Sequence, residues 1–254
     1  MDAPDDDMLT VLRRAPVLAA CHDRPRSRQE LVERTHFSRS TAYRATVALE
    51  ERGLLENAGD GYRTTRYGAA VLAAAESYGD AIETIDRLEP LLDLVDSPEL
   101  ATHAHLFGDP EVTVADASNP YEVVNRVVER FEQTATSRGT IASTTHLEAV
   151  EQTAPDLSGK ESIERIFART ALETHSTVAD ETLAEVAATD AVSLYVAEDD
   201  EIPFTFAIDE DEVTLVGHDP ATGLPTVHVE SARPEARAWL QRVYERCREN
   251  ATPV

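Results

Sequence analysis

One stretch limits the fold of this chain more than any other: residues 37–55, together with the hairpin signal that follows them. The stretch reads FSRSTAYRATVALEERGLL. Ser38 is placed to cap a helix, because its side-chain oxygen can accept a hydrogen bond from a free backbone N–H of the first turn. Gly53 stands where a left-handed residue would end that helix. Two short extended runs then flank the Gly-Asp-Gly of residues 59–61, and Asp-Gly is a strong signal for a β-hairpin.

Two further helices are predicted before this stretch. The first covers about residues 7–20, where apolar residues follow a helical repeat that is somewhat disturbed at Pro16. The second begins at a capping box, in which Ser27 is followed three residues later by Glu30, and it runs to about Thr35. Three short helices followed by one hairpin is the order of elements in a winged helix.

The remainder of the chain predicts one long helix and then a mixture of strands and helices. The long helix runs from residue 66 to about residue 88, is interrupted near Gly79 and is stopped by Pro90. Strands are expected at THAHLF, EVTVAD, GTIAS, AVSLYVAE, PFTFAID, EVTLVGH and PTVHVES. Helices are expected at YEVVNRVVERFEQTA, through HLEAVEQ, around residues 163–174 and 180–188, and over about residues 234–248.

These elements predict an α+β fold in three parts. Residues 1–68 form a winged helix-turn-helix DNA-binding domain, and residues 69–99 form a linker or dimerisation helix. Residues 100–254 form a mixed α/β effector or regulatory domain. A chain of 254 residues with 42% hydrophobic content is long enough to build two such cores.

The chain is strongly acidic, with a net charge of −25 from 48 acidic and 23 basic residues, and Lys160 is its single lysine. Dense carboxylates with scarce lysine predict adaptation to a salt-rich cytoplasm. No apolar run approaches the roughly 20 residues that span a bilayer, and the acidic N-terminus does not resemble a signal peptide. Cys21 and Cys247 fit neither a metal spacing nor a disulfide framework. A cytoplasmic location without a membrane partner is therefore expected.

The charge is unevenly distributed along the chain. Residues 8–70 contain eleven arginines and seven acidic residues, a net charge of +4, so the remaining residues carry −29. A basic segment within so acidic a chain predicts that this segment binds a polyanion.

The third predicted helix divides into two faces. A helical projection places Ala42, Ala45, Thr46 and Leu49 on the inward side. The outward side carries Ser40, Tyr43, Arg44 and Val47. A hydroxyl, an aromatic ring and a guanidinium are typical of a recognition helix that enters the major groove.

Each candidate DNA-contacting residue has an expected role. Arg44 can form a two-pronged hydrogen bond to a guanine edge, and hydroxyls and Arg39 are better placed for phosphates. Arginines at and just after the hairpin suit the flanking backbone or the minor groove. For any single arginine, a solvated charged surface is an equally good interpretation, and it is the whole set that favours DNA. The set is Ser38, Arg39, Ser40, Thr41, Tyr43, Arg44, Arg63 and Arg66.

Both ends of the chain resemble a known family. FSRSTAYRATVALEERGLLE and the hairpin after it look like the winged helix-turn-helix of archaeal transcriptional regulators. The segment from SLYVAEDDEIPFTF to the pattern VES…P.AR.W….Y…R is similar to the effector domain of the archaeal methanogenesis-regulator-like family, which is abundant in halophilic archaea. The resemblance implies a transcription factor with an N-terminal reader and a C-terminal regulatory domain. Methane metabolism does not carry over, and no ligand-contact motif can be transferred.

Enzyme and metal chemistry find little support. Related sensor domains resemble phospholipase-D-like folds, whose active site needs His-x-Lys, but Lys160 is preceded two positions earlier by Ser158. No glycine-rich phosphate loop, serine elbow or Cys-His pairing is present. His103 and His105 would share a face of the predicted strand THAHLF, although strand histidines at this spacing are more often structural. No cofactor and no metal site are therefore predicted.

The sequence leaves three functions open. The leading one is a homodimeric, sequence-specific regulator that binds double-stranded DNA, with a second domain that senses a small-molecule effector or mediates assembly. A second is a winged helix used for protein contacts, which recruits the basal transcription machinery. The third is an unrecognised enzyme in the C-terminal domain.

Overall fold

The computed structural model describes residues 6–142, 159–173 and 189–254. The chain divides into two compact units, Met1–Ala81 and Ile82–Val254. The helices predicted through HLEAVEQ and over residues 180–188 lie outside the described residues.

The first unit contains three helices followed by a hairpin, as predicted. The elements are α1 (Asp6–Ala20), α2 (Arg28–Thr35), α3 (Arg39–Glu51), β1 (Leu55–Asn57) and β2 (Tyr62–Thr64), with β1 and β2 antiparallel. α1 continues through Pro16. The core of this unit is built from buried apolar side chains of all three helices and the hairpin, including Leu18, Leu31, Leu49, Leu54 and Leu55.

The predicted helix boundaries are confirmed at the level of single hydrogen bonds. The Ser27 backbone N–H donates to Glu30 Oε2 at 2.9 Å, and the Glu30 N–H donates to Ser27 Oγ at 3.3 Å, which completes the capping box of α2. The Thr41 N–H donates to Ser38 Oγ at 3.1 Å at the start of α3. Gly53 has a φ of +68°, the left-handed conformation predicted after α3.

The hairpin is fixed to the segment before α2. Arg26 and Tyr62 exchange backbone hydrogen bonds of 2.9 and 2.8 Å, so Arg26 forms an isolated antiparallel bridge with β2. A Cβ atom added at Gly61 would lie 2.4 Å from the carbonyl carbon and oxygen of Arg26. Glycine at this position therefore allows the two backbones to approach closely.

The long helix differs from its prediction. α4 (Arg66–Arg87) is continuous through Gly79, and Pro90 lies in the first turn of a separate helix, α5 (Glu89–Leu92). Glycine inside a helix costs only about 1 kcal/mol relative to alanine, which a 22-residue helix tolerates. Proline is well accommodated in a first turn, where its missing N–H has no partner to lose.

The second unit is an eight-stranded sheet with helices. In chain order its elements are α6 (Pro98–His103), a 3₁₀ turn (Ala104–Phe107), β3 (Glu111–Val114), α7 (Glu122–Gln133), β4 (Thr136–Ile141), β5 (Ser162–Ala168), α8 (Arg169–Glu173), β6 (Val192–Ala197), a 3₁₀ turn (Asp199–Glu201), β7 (Thr205–Ile208), β8 (Val213–His218), β9 (Pro225–Ser231), α9 (Pro234–Asn250) and β10 (Thr252–Pro253). The strand order is β10-β6-β5-β4-β7-β8-β9-β3. Strands β4, β5 and β6 are parallel and the other pairings are antiparallel. The four strands predicted at AVSLYVAE, PFTFAID, EVTLVGH and PTVHVES are confirmed as β6, β7, β8 and β9, and the predicted C-terminal helix is confirmed as α9. The α+β class is confirmed as well.

The main core of the second unit lies between the sheet and α9. Trp239, Leu240 and Val243 of α9 are buried against strand residues of the same cluster. Because side chains alternate along a strand, Val229 of β9 joins this core while the neighbouring Glu230 reaches Arg126 of α7.

Two predictions in this unit are wrong. THAHLF is not a strand: Ser97 caps α6 by accepting a hydrogen bond from the Leu100 N–H at 3.3 Å, and buried Leu100, Ala104 and Phe107 follow a helical spacing. Residues 163–174 are not one helix, because Ser162–Ala168 pairs with β4 on one side and β6 on the other. Helix begins only at α8.

Candidate nucleic-acid interface

The two faces of α3 are arranged as the helical projection predicted. Ala42, Ala45, Thr46 and Leu49 are buried. The opposite face is open to solvent, and Val47 at its edge is half-buried. Of the predicted site residues, Thr41 is half-buried and the others are exposed, namely Ser38, Arg39, Ser40, Tyr43, Arg44, Arg63 and Arg66. Their role in binding stays a prediction.

Three hydroxyls lie together at the start of α3. Ser38 Oγ lies 3.0 Å from Ser40 Oγ and 2.8 Å from Thr41 Oγ1. The first turn of a helix also carries free backbone N–H groups and the positive end of the helix dipole. This combination of donors is chemically suited to an anion such as a phosphate.

The arginines of this surface differ in their partners from several arginines of the second unit. Among the described residues, no carboxylate lies within 4.0 Å of the guanidinium of Arg39, Arg44, Arg63 or Arg66. Among the described residues of the second unit, by contrast, five arginines form ion pairs with carboxylates, namely Arg87, Arg126, Arg130, Arg169 and Arg246. The surface formed by α3, β2 and the start of α4 therefore presents cations whose charge is available to an external anion.

Arg28, at the start of α2, belongs to this surface although the sequence analysis did not select it. Its guanidinium carbon lies 4.6 Å from the centre of the Tyr43 ring and 5.2 Å from that of Tyr62. Its Nη2 donates a hydrogen bond to the Tyr62 hydroxyl, and its Nε lies 3.4 Å from Thr46 Oγ1. Arg28 follows the helix cap Ser27, and no pattern at that position in the sequence indicates contacts with Tyr43 and Tyr62.

Arg63 and Arg66 belong to other elements than the three hydroxyls at the start of α3. Arg63 is at the centre of β2, opposite Glu56 of β1, and Arg66 is the first residue of α4. The tip of the hairpin carries Asp60 and no basic residue. The positive charge of the hairpin is therefore on its strand and not at its tip.

In the second unit, the single lysine and one of the candidate metal-binding histidines make structural contacts. Lys160 Nζ donates to the carbonyl oxygens of Thr134 at 2.7 Å, Glu132 at 3.1 Å and Phe131, at the C-terminal end of α7. The His103 ring stacks on Trp239 with centroids 4.9 Å apart, and its Nδ1 lies 2.8 Å from the Glu99 carbonyl oxygen. Lys160 thus caps a helix, and His103 packs on the core.

A buried polar layer joins α7 to the sheet. Arg126 Nε donates to Glu230 Oε2 at 3.1 Å, and Arg130 Nε donates to Asp209 Oδ2 at 3.0 Å. Both carboxylates are buried, and the hydrogen bond to Glu230 raises the pKa of Arg126. Burial, with the nearby charges of Arg126 and Arg130, lowers the pKa of His228 to about 4. The layer fastens a helix to the sheet and leaves a neutral imidazole beneath it.

Within the part of the chain that the structure describes, no cluster of three or more His, Cys, Asp or Glu side chains is arranged to hold a metal ion. In the same residues, every helix is too short or too polar to cross a lipid bilayer.

Two family models match the chain. The model described as HVO_A0261 N-terminal domain matches residues 5–87. The model described as methanogenesis regulatory protein FilR1, middle domain, matches residues 120–250, which is more than half of the chain. No curated protein sequence matches.

Several solved structures are similar to this chain at low sequence identity and low TM-score. TrmBL2, an archaeal chromatin protein, is 15% identical with a TM-score of 0.41, and the match covers 99% of this chain and 100% of that chain. NucT from Helicobacter pylori is 13% identical with a TM-score of 0.43, over 57% of this chain and 99% of that one. Nuc from Salmonella typhimurium, a phospholipase D family member, is 11% identical with a TM-score of 0.44, over the same shares.

Proposed function

Because the chain belongs to the family of the methanogenesis regulatory protein FilR1, we propose that it is a sequence-specific DNA-binding transcription regulator. The observation that carries the proposal is the exposed face of α3. This face has three clustered hydroxyls at its start, and its arginines have no carboxylate within 4.0 Å among the described residues. In this proposal residues 1–68 read DNA, residues 69–99 link and pair the protomers, and residues 100–254 regulate.

The N-terminal half of α3 is proposed to enter the major groove of double-stranded DNA. Tyr43, with 52% of its surface exposed, and Arg44 one residue later face the base edges. An arginine fork on a guanine edge contributes about 1–3 kcal/mol of discrimination against a wrong base. Sequence specificity would therefore depend mainly on these two side chains.

Phosphate contacts are proposed to hold α3 in its register. The hydroxyls of Ser38 and Thr41 and the guanidinium of Arg39 lie at the helix start, where backbone N–H groups favour an anion. Arg63 and Arg66 extend the positive surface to β2 and α4. Since the hairpin tip is not basic, its strand is proposed to contact the flanking backbone rather than to enter the minor groove.

The acidity of the rest of the chain supports a confined contact with DNA. Residues outside 8–70 carry a net charge of −29 and repel phosphates. In the salt-rich cytoplasm proposed for this chain, phosphate attraction is weakened, so base contacts must supply more of the affinity.

A homodimer is proposed, paired through α4. Tyr67 and Tyr78 are 63% and 48% exposed, and the exposed Ala74 lies seven residues after Tyr67 and four residues before Tyr78. That spacing places them on one side of a helix. Two-fold pairing would set two copies of α3 about 34 Å apart on a pseudo-palindromic site. A small-molecule effector bound to the second unit would act by shifting the populations of competent and incompetent dimers.

The test is binding of the full-length protein to DNA from its own promoter region, measured by fluorescence anisotropy against a scrambled duplex. Genome-wide mapping of bound sites in the native host would then identify the operator. Tyr43→Ala and Arg44→Ala should bind the operator more weakly and the scrambled duplex about as the parent does. The control is Arg242→Ala, an exposed arginine of α9.

Two outcomes would count against the proposal. If Tyr43→Ala and Arg44→Ala both bind the operator as the parent does, α3 is not the reading surface. If no specific site exists and the protein instead captures transcription factors in a pull-down that survives nuclease, the first unit is a protein-contact module.

A further inference from the structure

The contacts of Arg28 connect the proposed reading helix to the hairpin. We propose that Arg28 is a positioning residue that holds the Tyr43 ring in its base-reading orientation, so that sequence specificity depends on a side chain outside α3. This inference rests on the proposed DNA-binding function and adds a specificity-determining residue to it.

One side of the Arg28 guanidinium is anchored to a rigid partner. Its Nη2 donates to the hydroxyl of Tyr62, whose side chain is only 7% exposed. The backbone of Tyr62 is fixed in turn by the pair of hydrogen bonds to Arg26. The Thr46 hydroxyl, on the buried face of α3, lies 3.4 Å from Arg28 Nε and itself donates to the Tyr43 carbonyl oxygen at 2.9 Å.

The other side of the guanidinium contacts the exposed ring of Tyr43. The Tyr43 ring lies 4.6 Å from the guanidinium carbon, within the range of a cation–π contact. Among the described residues, the contact with Arg28 is the ring contact of Tyr43. The Tyr43 side chain is otherwise open, since 52% of its surface is exposed. An exposed tyrosine without such a restraint would sample several rotamers, and ordering it on DNA would reduce affinity for the correct site.

Arginine suits this position better than lysine does. The planar guanidinium can stack on one ring and donate hydrogen bonds in its own plane to the hydroxyl of another residue. A lysine ammonium carries the same charge but cannot do both at once. Lysine would therefore keep any electrostatic attraction to phosphate and lose the orientation of Tyr43.

The experiment compares the ratio of operator to scrambled-duplex affinity, and the salt dependence of operator binding, in full-length variants. Arg28→Lys should lower the specificity ratio about twofold to fivefold, with an unchanged salt dependence because the charge is kept. Tyr62→Phe, which removes only the hydroxyl that accepts from Arg28, should lower the ratio in the same direction. Arg242→Lys is the matched control, and thermal melting reports folding for each protein.

The outcomes separate this inference from the proposed function. A parent protein without any operator preference rejects both. A parent that prefers its operator, with Arg28→Lys and Tyr62→Phe of unchanged specificity, rejects the positioning role alone. If Arg28→Gln flattens the salt dependence and Arg28→Lys restores the parent behaviour, Arg28 is a phosphate contact and the inference is wrong. Tyr62→Phe leaves Arg28 in place and decides the question should Arg28→Lys fail to fold.

Discussion

Replacing Arg39 and Arg66 with glutamine should make operator binding less sensitive to salt. The guanidinium of neither residue has a carboxylate within 4.0 Å among the described residues, so each is free to neutralise a phosphate. Each neutralised phosphate contributes about −0.9 to the slope of log K against log salt concentration. Two arginines in each protomer of a two-fold dimer would contribute about −3.6, and the double variant should lose that contribution. Over a roughly fourfold rise in salt, the parent would then lose about 150-fold more affinity than the variant.

The assay is a fluorescence anisotropy titration on one operator duplex at several salt concentrations. Arg169→Gln is the matched control, because the Arg169 Nη2 is held 2.6 Å from Glu198 Oε1 in the second unit. This control should keep the parent slope. The reasoning is refuted if the double variant has the slope of the parent, or if Arg169→Gln flattens the slope by as much.

Three further predictions concern stability. Gly61→Ala should destabilise the protein by about 1–3 kcal/mol, because its Cβ would meet the Arg26 backbone at 2.4 Å. Gly79→Ala, with open space around the added Cβ, should stabilise α4 by about 0.5–1 kcal/mol. Urea unfolding measures the free energy of unfolding of both variants, and changes of the same sign would contradict the packing argument. The capping hydrogen bond from Ser27 and that from Arg24 lower the pKa of Glu30 from 4.5 to about 2, so the stability it adds is complete above pH 4.5 and is lost as the pH falls towards 2, and Glu30→Gln should abolish that loss in thermal melts at graded pH. Burial lowers the pKa of His218 and of His228 from 6.5 to about 4, so the unfolded chain takes up protons first and stability should fall from pH 6.5 to pH 4, less steeply in a variant with glutamine at both positions.

Local signals explain why the first unit could be predicted in such detail. The capping box at Ser27, the cap at Ser38 and the left-handed Gly53 each depend on hydrogen bonds or backbone angles within a few residues. The buried face of α3 follows from its helical period, since a face of small apolar residues can lie against α2.

Local signals also explain the two errors in the second unit. Ile163, Ile166 and Phe167 have a spacing that fits a helix, yet their segment lies between two parallel strands. Hydrogen bonding to a strand on each side decides that such a segment is a strand. Both partner strands are separated from it by long connecting segments, so local spacing does not reveal the pairing. At residues 98–107 the cap and the buried spacing fit helical turns, which the alternating histidines obscured.

The sequence alone determined that a basic three-helix unit with a hairpin precedes an acidic α+β unit, and which face of α3 is exposed, because charge, caps and helical period are properties of short segments. Only the tertiary structure decided that Arg28 lies between Tyr43 and Tyr62, the latter 34 residues away. It also decided that Lys160 ends a helix and that Arg126 and Arg130 hold buried carboxylates. The physical reason is that these contacts join residues distant in sequence, and their geometry exists only once the separate elements have packed.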